Sequence, residues 1–440
     1  MAGVRDPNVI TPEARDRDVA HDETGRSVTY RTPWTLRGVY VANGLATAAI
    51  APFIPVMLKE RGLYPATIGA LAAVAALSTT VIVPAWGHLA DAVVGRARAF
   101  RIGLALASAT AVGLLLQLPV YAVAAMLVSF TVYASLFVGL GDALAMSDLP
   151  APERQYGALR AHASLSFTVG ITAVGFIYGW VGYGAAPLIF LIWSIMMFVL
   201  IGRIPDRTVG PKQRGGSEAT GEVHAVRFGS PGRALAVQPR LPILLVVFAL
   251  AFAGLQGSLT FIGIRIVELG GRPSDVGLSF AVAAVFEVPG LMSAGWMGRR
   301  LGLRWLFLGS MVMYGLSIAS WGILPNALAI NATRAVTGLC NGSLMAARVL
   351  IVPRLLPASL QATGQVLFQA ATLGVGTVLG SVIGGVVYGS LGPTVFFAGA
   401  GGVAIAGAAG AWFVLAGPVG GRLTGLVVDE PTKTAELPAP

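Results

Sequence analysis

Long apolar runs alternate with short polar breaks along most of this chain. Runs of about 20 residues, enough for a helix rising 1.5 Å per residue to cross a ~30 Å hydrocarbon core, lie at 36–58, 67–90, 99–118, 120–146, 156–181 and 184–203. Beyond a polar stretch they resume at 241–266, 274–298, 303–323, 326–352, 360–388 and 393–416. The pattern predicts an all-α membrane protein of about twelve transmembrane helices, in two successive bundles of about six. Its parts are a disordered cytoplasmic tail at 1–35, a bundle at 36–203, a basic cytoplasmic linker at 204–240, a second bundle at 241–416 and a cytoplasmic tail at 417–440. Residues 1–34 have no apolar core, only Arg5, Arg15, Arg17, Arg26 and Arg31 mixed with acids, so no signal peptide is expected and the first span stays in the protein.

Two of the polar breaks are copies. "ERGLYPATIG" at 60–69 and "ELGGRPSDVG" at 268–277 share a Glu (Glu60, Glu268), two glycines (Gly62 and Gly69, Gly270 and Gly277) and a proline (Pro65, Pro273). Each proline stands just before an apolar helix, where its fixed φ suits the first turn. Thr67, or Ser274 and Asp275, are available there to cap free N–H groups. The match continues: "GALAAVAAL" (69–77) answers "GLSFAVAAV" (277–285), Gly87 answers Gly295, and "FIYGWVG" (176–182) answers "VVYGSLG" (386–392). Apolar stretches match one another by chance; shared Gly, Pro and Glu punctuation at a nearly constant shift points to duplication. Two like-oriented halves related by an axis along the membrane normal predict a transporter that rocks about a substrate site near the midplane.

Composition agrees with lipid as the main solvent. Of the 440 residues 55% are hydrophobic and only 11% charged, against roughly 25% charged in a soluble domain. The 57 glycines suit close helix packing. A net charge of +10 falls in short clusters between apolar runs, which is a topology signal and excludes a nucleic-acid surface. With the N-terminus inside, the inside breaks hold Arg96, Arg98, Arg101, Arg154, Arg160, Arg299, Arg300, Arg304, Arg348 and Arg354, and the central segment 203–240 adds Arg203, Arg207, Lys212, Arg214, Arg227, Arg233 and Arg240. The outside breaks hold only Lys59, Arg61, Arg265 and Arg272. Both termini are therefore expected in the cytoplasm, and the chain in the cell (inner) membrane as a multi-pass monomer. The lone Cys340 excludes an intrachain disulfide framework. Neither a cofactor nor a metal is expected.

At these residues the chain resembles the major facilitator superfamily, over about positions 35–416. "GHLADAVVGRAR" (87–98) is similar to the loop between helices 2 and 3 that closes the cytoplasmic gate in that superfamily. The resemblance implies gate roles for Gly87, Asp91, Gly95, Arg96 and Arg98. The second copy, "GWMGRRLGLR" (295–304), carries Gly295, Arg300, Gly302 and Arg304 but has Arg299 where Asp91 stands. "PFIPVML" (52–58), "VPAWGHLAD" (83–91), "QYGALRAHASLSF" (155–167) and "FEVPGLM" (286–292) are most similar to the proton-symporter branch, which includes lactose permease, nucleoside permeases and the phenylpropionate permease. That branch implies a pair, Asp142 late in helix 4 and Arg160 early in helix 5, in contact with substrate. The sequence departs from lactose permease at Leu339 and Val336, which stand where that protein has a carboxylate and an imidazole. Glu287 lies about one helical turn from the corresponding helix 8 carboxylate.

Charge inside the spans narrows the site. A charge at the bilayer centre costs about 2.5–3.5 kcal/mol on insertion scales, so it faces a cavity or a partner. Glu287 and Arg334 are expected to face the centre and to pair, Glu287 exchanging a proton and Arg334 holding an anionic or hydroxyl-bearing substrate; a bridge that only pins helices 8 and 10 is the other reading. Asp142 with Arg160 has the same two readings, a substrate and proton site or a bridge at the helix ends. Asn43, Gln256, Asn341, Gln365 and Gln369 are expected to line the cavity, with Tyr40 and Tyr133 as weaker members, or else to bridge helices. No His cluster, Asp-rich pair, Gly-x-Ser-x-Gly or Walker loop supports an enzyme or an ATP-driven pump. The function expected is secondary transport of a small polar or anionic metabolite (sugar, nucleoside or aromatic acid) coupled to protons, with proton-coupled drug export on the same fold as the alternative.

Overall fold

The computed structural model describes residues 19–21, 27–29, 33–116, 118–149, 152–204 and 231–415. The expectations for the rest of the N-terminal tail, for most of the linker with Arg207, Lys212, Arg214 and Arg227, and for the C-terminal tail lie outside the described residues. A short antiparallel pair, β1 (Val19–His21) with β2 (Ser27–Thr29), stands in the stretch expected to lack structure. Everything else regular among the described residues is helix: α1 (Trp34–Ile50), α2 (Ile54–Glu60), α3 (Pro65–Leu89), α4 (Arg96–Gly113), α5 (Val120–Asp148), α6 (Pro152–Val181), α7 (Ala186–Ile201), α8 (Pro231–Val237), α9 (Leu241–Glu268), α10 (Pro273–Leu301), α11 (Leu303–Ser320), α12 (Ala327–Leu355), α13 (Gln361–Gln369) and α14 (Gly376–Leu415). By length and apolarity nine helices among the described residues can cross a membrane, the last of them, Thr363–Val414, bent at Gly392.

Local chemistry sets the boundaries. Pro65 and Pro273 open α3 and α10 as their fixed φ dictates. At the second copy the Arg272 amide donates to Asp275 Oδ2 at 2.7 Å, whereas the first copy has no side-chain cap and Thr67 does not serve as one. The glycines with positive φ fall in corresponding pairs: Gly62 with Gly270, Gly95 with Gly302, and Gly182 with Gly392. A backbone that twice needs the left-handed region at matched places is a duplicated backbone. Hydrogen bonds repeat as well. Arg61 donates to the carbonyl of Leu114 at the end of α4 (3.0 Å), and Arg265 to those of Trp321 and Gly322 just beyond α11 (3.2 and 3.1 Å).

Helices α1 and α3 to α7 pack among themselves, as do α9 to α14, and the two sets meet along α3 with α14 and α6 with α10. Where they meet, glycines bring backbones together. Gly69 and Gly385 seat α3 on α14, and Gly175 and Gly277 seat α6 on α10. All four lie at the end that carries the copied turns. Toward the other end, which carries α8 and the start of α1, no residue of α3 from Ala76 to Leu89 is buried. The halves are thus closed at the turn end and splayed at the linker end.

Candidate functional site

Helices α1, α2, α3, α5 and α6 of one half and α9, α10 and α14 of the other line a cavity of about 490 Å³. Its wall is mostly apolar, with Leu71, Leu127, Leu259, Phe167 and Phe280, and carries Thr47, Thr79, Thr131, Gln256, Thr260 and Thr377 as polar points. Thr79, Thr131, Thr260 and Thr377 each donate their hydroxyl to a carbonyl of the preceding turn, at 2.8, 2.8, 3.1 and 2.6 Å. With that proton engaged, each hydroxyl oxygen offers lone pairs only. Gln256 Nε2 donates to Thr377 Oγ1 at 3.3 Å and ties α9 to α14. Such a wall accepts hydrogen bonds from hydroxyl or amine groups and packs rings against Phe167 and Phe280.

Beside it, on the first half, a narrow crevice is lined by Tyr40 and Asn43 of α1, Asp142 of α5 and Arg160 of α6. Arg160 Nη1 lies 3.3 Å from both carboxylate oxygens of Asp142, and the Tyr40 hydroxyl donates to Oδ1 at 2.7 Å. The expected pair therefore forms, with Tyr40 as a third member holding the carboxylate from α1. Asn43 Oδ1 is buried there with no partner.

In the second half the expected pair does not form. Glu287 Oε2 accepts from Asn341 Nδ2 at 2.9 Å, joining α10 to α12. Arg334 instead lies level with Ser279, whose carbonyl accepts from its Nε at 3.2 Å, and its Nη1 donates to Thr337 Oγ1 at 3.1 Å. Ser279 precedes Glu287 by about two helical turns, roughly 12 Å of rise, so parallel packing of α10 and α12 sets Arg334 nearer the turn end than Glu287. Among the described residues no carboxylate comes within 4.0 Å of Arg334.

Of the substrate residues expected from sequence, Gln256 lines the cavity, and Asn43, Asp142 and Arg160 line the crevice. Asn341 serves Glu287, Gln365 is half-buried and Gln369 is exposed. The threonines were missed, because a helix-spaced threonine carries no mark of which face it presents. In the segment expected to act as a gate, Arg96 Nε meets Asp91 Oδ1 at 2.6 Å and its Nη1 donates to the Ala143 carbonyl of α5 at 3.2 Å. Asp91 sits in a π-helical turn, Ala90–Val94, that ends at Gly95. In the second copy Arg300 lies over Trp296 and Arg304 over Trp412, so aromatic rings take the place of the missing carboxylate. Gly87 has open space around it, and the nearest atom to a Cβ at Gly295 is on Arg299, 3.7 Å away.

The description MFS_1 like family matches residues 33–398, most of the chain. The chain belongs to the MFS_1 like family. It is a transporter of the major facilitator superfamily, a multi-pass membrane protein and not an enzyme. It is similar to the maltose permease of Geobacillus stearothermophilus, 25% identical over 77% of this chain and 84% of that one. A second relative, the uncharacterized transporter YwbF of Bacillus subtilis, is 22% identical over 80% and 86%. Among solved structures the nucleoside transporter NupG superposes with a TM-score of 0.73, covering 87% of this chain and 98% of that one at 15% identity, which speaks for the fold alone. Transporters built from two like halves commonly hold substrate between the halves near the midplane, and the cavity here lies between the two halves.

Proposed function

We propose that this transporter moves a small, hydroxyl-bearing metabolite together with protons, by rocking its two halves about the cavity between them. The observation that carries the reading is the cavity itself, walled by both halves, beneath an interface closed at one end only. A volume of about 490 Å³ lies in the ~300–1,000 Å³ range of small-molecule sites, and acceptor-rich threonines suit sugar or nucleoside hydroxyls. The likeness to a protein named maltose permease, at 25% identity, favours a sugar-like solute. With the basic breaks taken as cytoplasmic, the splayed end faces the cytoplasm.

Proton coupling is assigned to Glu287 with Asn341 and to Asp142 with Tyr40 and Arg160. Each carboxylate is held by groups that a substrate hydroxyl can replace. At Asp142 the partners are Tyr40 and Arg160, so a substrate group that takes either place changes what holds the carboxylate. Asp91 and Arg96 are assigned to the gate, Arg96 tethering the segment to α5.

The test is uptake into proteoliposomes of maltose, hexoses and nucleosides. A pH gradient is worth about 1.36 kcal/mol per unit and a potential about 2.3 kcal/mol per 100 mV; applying each alone reads the net charge moved. Glu287→Gln should abolish uphill accumulation and leave exchange across the membrane intact. Unchanged accumulation would remove Glu287 from the coupling. The apolar share of the wall favours, as a second reading, proton-coupled export of amphipathic solutes, which uptake into inverted vesicles distinguishes.

A further inference from the structure

Behind the cavity wall lies a buried cation that the site described above does not use. Arg334 is 3% exposed, and the donors accounted for are Nε on the Ser279 carbonyl and Nη1 on Thr337, with the Tyr314 hydroxyl also in reach. A guanidinium has five N–H groups, so donors remain; no carboxylate among the described residues lies within 4.0 Å of it, and Glu287 acts on it only through space. Charge at membrane depth marks a substrate or ion site by default. Two more buried oxygens at the same seam lack partners: Ser279 Oγ, on the residue whose carbonyl Arg334 grips, and Asn331 Oδ1, one turn before Arg334 on α12. Buried polar groups without partners are rare enough to call for an occupant. Spare guanidinium donors, a free hydroxyl and a free amide oxygen together suit a carboxylate with a neighbouring hydroxyl.

Aromatic rings close the place off. The guanidinium carbon lies 5.6 Å from the Trp321 ring centre and 5.5 Å from that of Phe280. Trp321 is fully buried and its Nε1 is fixed on Thr333 Oγ1 at 2.8 Å. Phe280 has no polar anchor, is half-buried, and belongs to the wall of the central cavity. Phe280 thus stands both in the cavity wall and 5.5 Å from the cation. We propose that Phe280 is a shutter over a second subsite, where Arg334, Ser279 and Asn331 receive the carboxylate-bearing part of the transported solute. That the ligand is the transported solute rests on the transport reading above; the subsite itself does not. A monoanion carried with one proton moves no net charge, so its uptake responds to a pH gradient and not to potential.

The test uses the purified full-length protein in detergent and phenylglyoxal, a dicarbonyl that modifies guanidinium groups, with Arg334 followed by peptide mass spectrometry. Phe280→Ala should speed labelling of Arg334 roughly tenfold by removing its cover, while Phe280→Tyr stays near the native rate. Glucuronate and benzoate should slow that labelling, and glucose and benzyl alcohol at equal concentration should not. Arg334→Gln should weaken glucuronate binding roughly ten- to a hundredfold, the range for losing a charge-assisted hydrogen bond. Equal labelling with and without the ring, and no protection by either anion, would overturn the subsite; these readouts need no transport and hold even where Arg334→Gln fails to fold. Glucose uptake with no anion protection sinks the subsite alone, whereas anion protection with no uptake of any solute sinks the transport reading alone.

Discussion

A methyl group added at Gly69 tests whether the closed turn end is one of two states. Its Cβ would stand 2.1 Å from the Ser381 carbonyl oxygen across the interface, where ordinary contact begins at 3.4 Å. Both atoms belong to helical backbone, so α3 and α14 have to yield the difference. Overpacking of this kind costs about 1–3 kcal/mol. Replacing a helical glycine by alanine also gains roughly 0.5–1 kcal/mol of helix stability, but α3 is a helix in either state, so that gain cancels. The remaining cost falls only where the turn end is closed and shifts the equilibrium toward the open arrangement by roughly 5- to 150-fold. Gly254→Ala is the control: its Cβ meets the Ala400 carbonyl at 2.3 Å within one half, which lowers stability without favouring either state. Spin labels at Trp180 and Ile323, 89% and 74% exposed on opposite halves, read the turn-end separation by pulsed double resonance in a Cys340→Ala background. A longer distance should grow in Gly69→Ala and not in Gly254→Ala. An unchanged distribution in Gly69→Ala, or the same change in both, would refute the reasoning.

Tyr40→Phe removes the 2.7 Å bond to the Asp142 carboxylate and should cost about 1.5–3 kcal/mol in stability, read by thermal unfolding, with slower proton-driven uptake. In the proposed gate segment, Arg96→Ala should lower the melting temperature more than Asp91→Ala, because Arg96 also holds the Ala143 carbonyl. Asp91 is 53% exposed, and such ion pairs contribute ~0–1 kcal/mol. Replacing Thr79 and Thr131 together by Val keeps the shape of the cavity and removes acceptors that bond only within their own helices; KM for a hydroxylated substrate should rise roughly tenfold, with little change in melting temperature.

The repeat was legible because its marks are backbone requirements. Gly62 and Gly270 recur since both turns need positive φ, and Pro65 and Pro273 recur since both helices begin there. Asp142 and Arg160 were legible through resemblance, and the structure joins them. Glu287 and Arg334 were legible as membrane charges but not as partners: their depth depends on the register of α10 against α12, which glycines such as Gly290 and Gly342 set by letting the helices touch. Phe280 and the cavity threonines were not legible at all, since an apolar helix shows no periodicity that separates a cavity face from a lipid face. The aromatic replacement of the second gate carboxylate, Arg304 over Trp412, joins residues far apart in sequence and appears only once α11 and α14 are packed.

Alternation of the two halves is tested most directly by locking them. An ideal Cβ at Gly389 lies 3.7 Å from Pro65 Cβ across the turn-end interface, within the ~3.5–4.5 Å a disulfide needs. In the Pro65→Cys, Gly389→Cys protein, oxidation should stop uptake completely and reduction should restore it. Uptake at the reduced rate while the cross-link is fully formed would contradict the rocking of one half against the other.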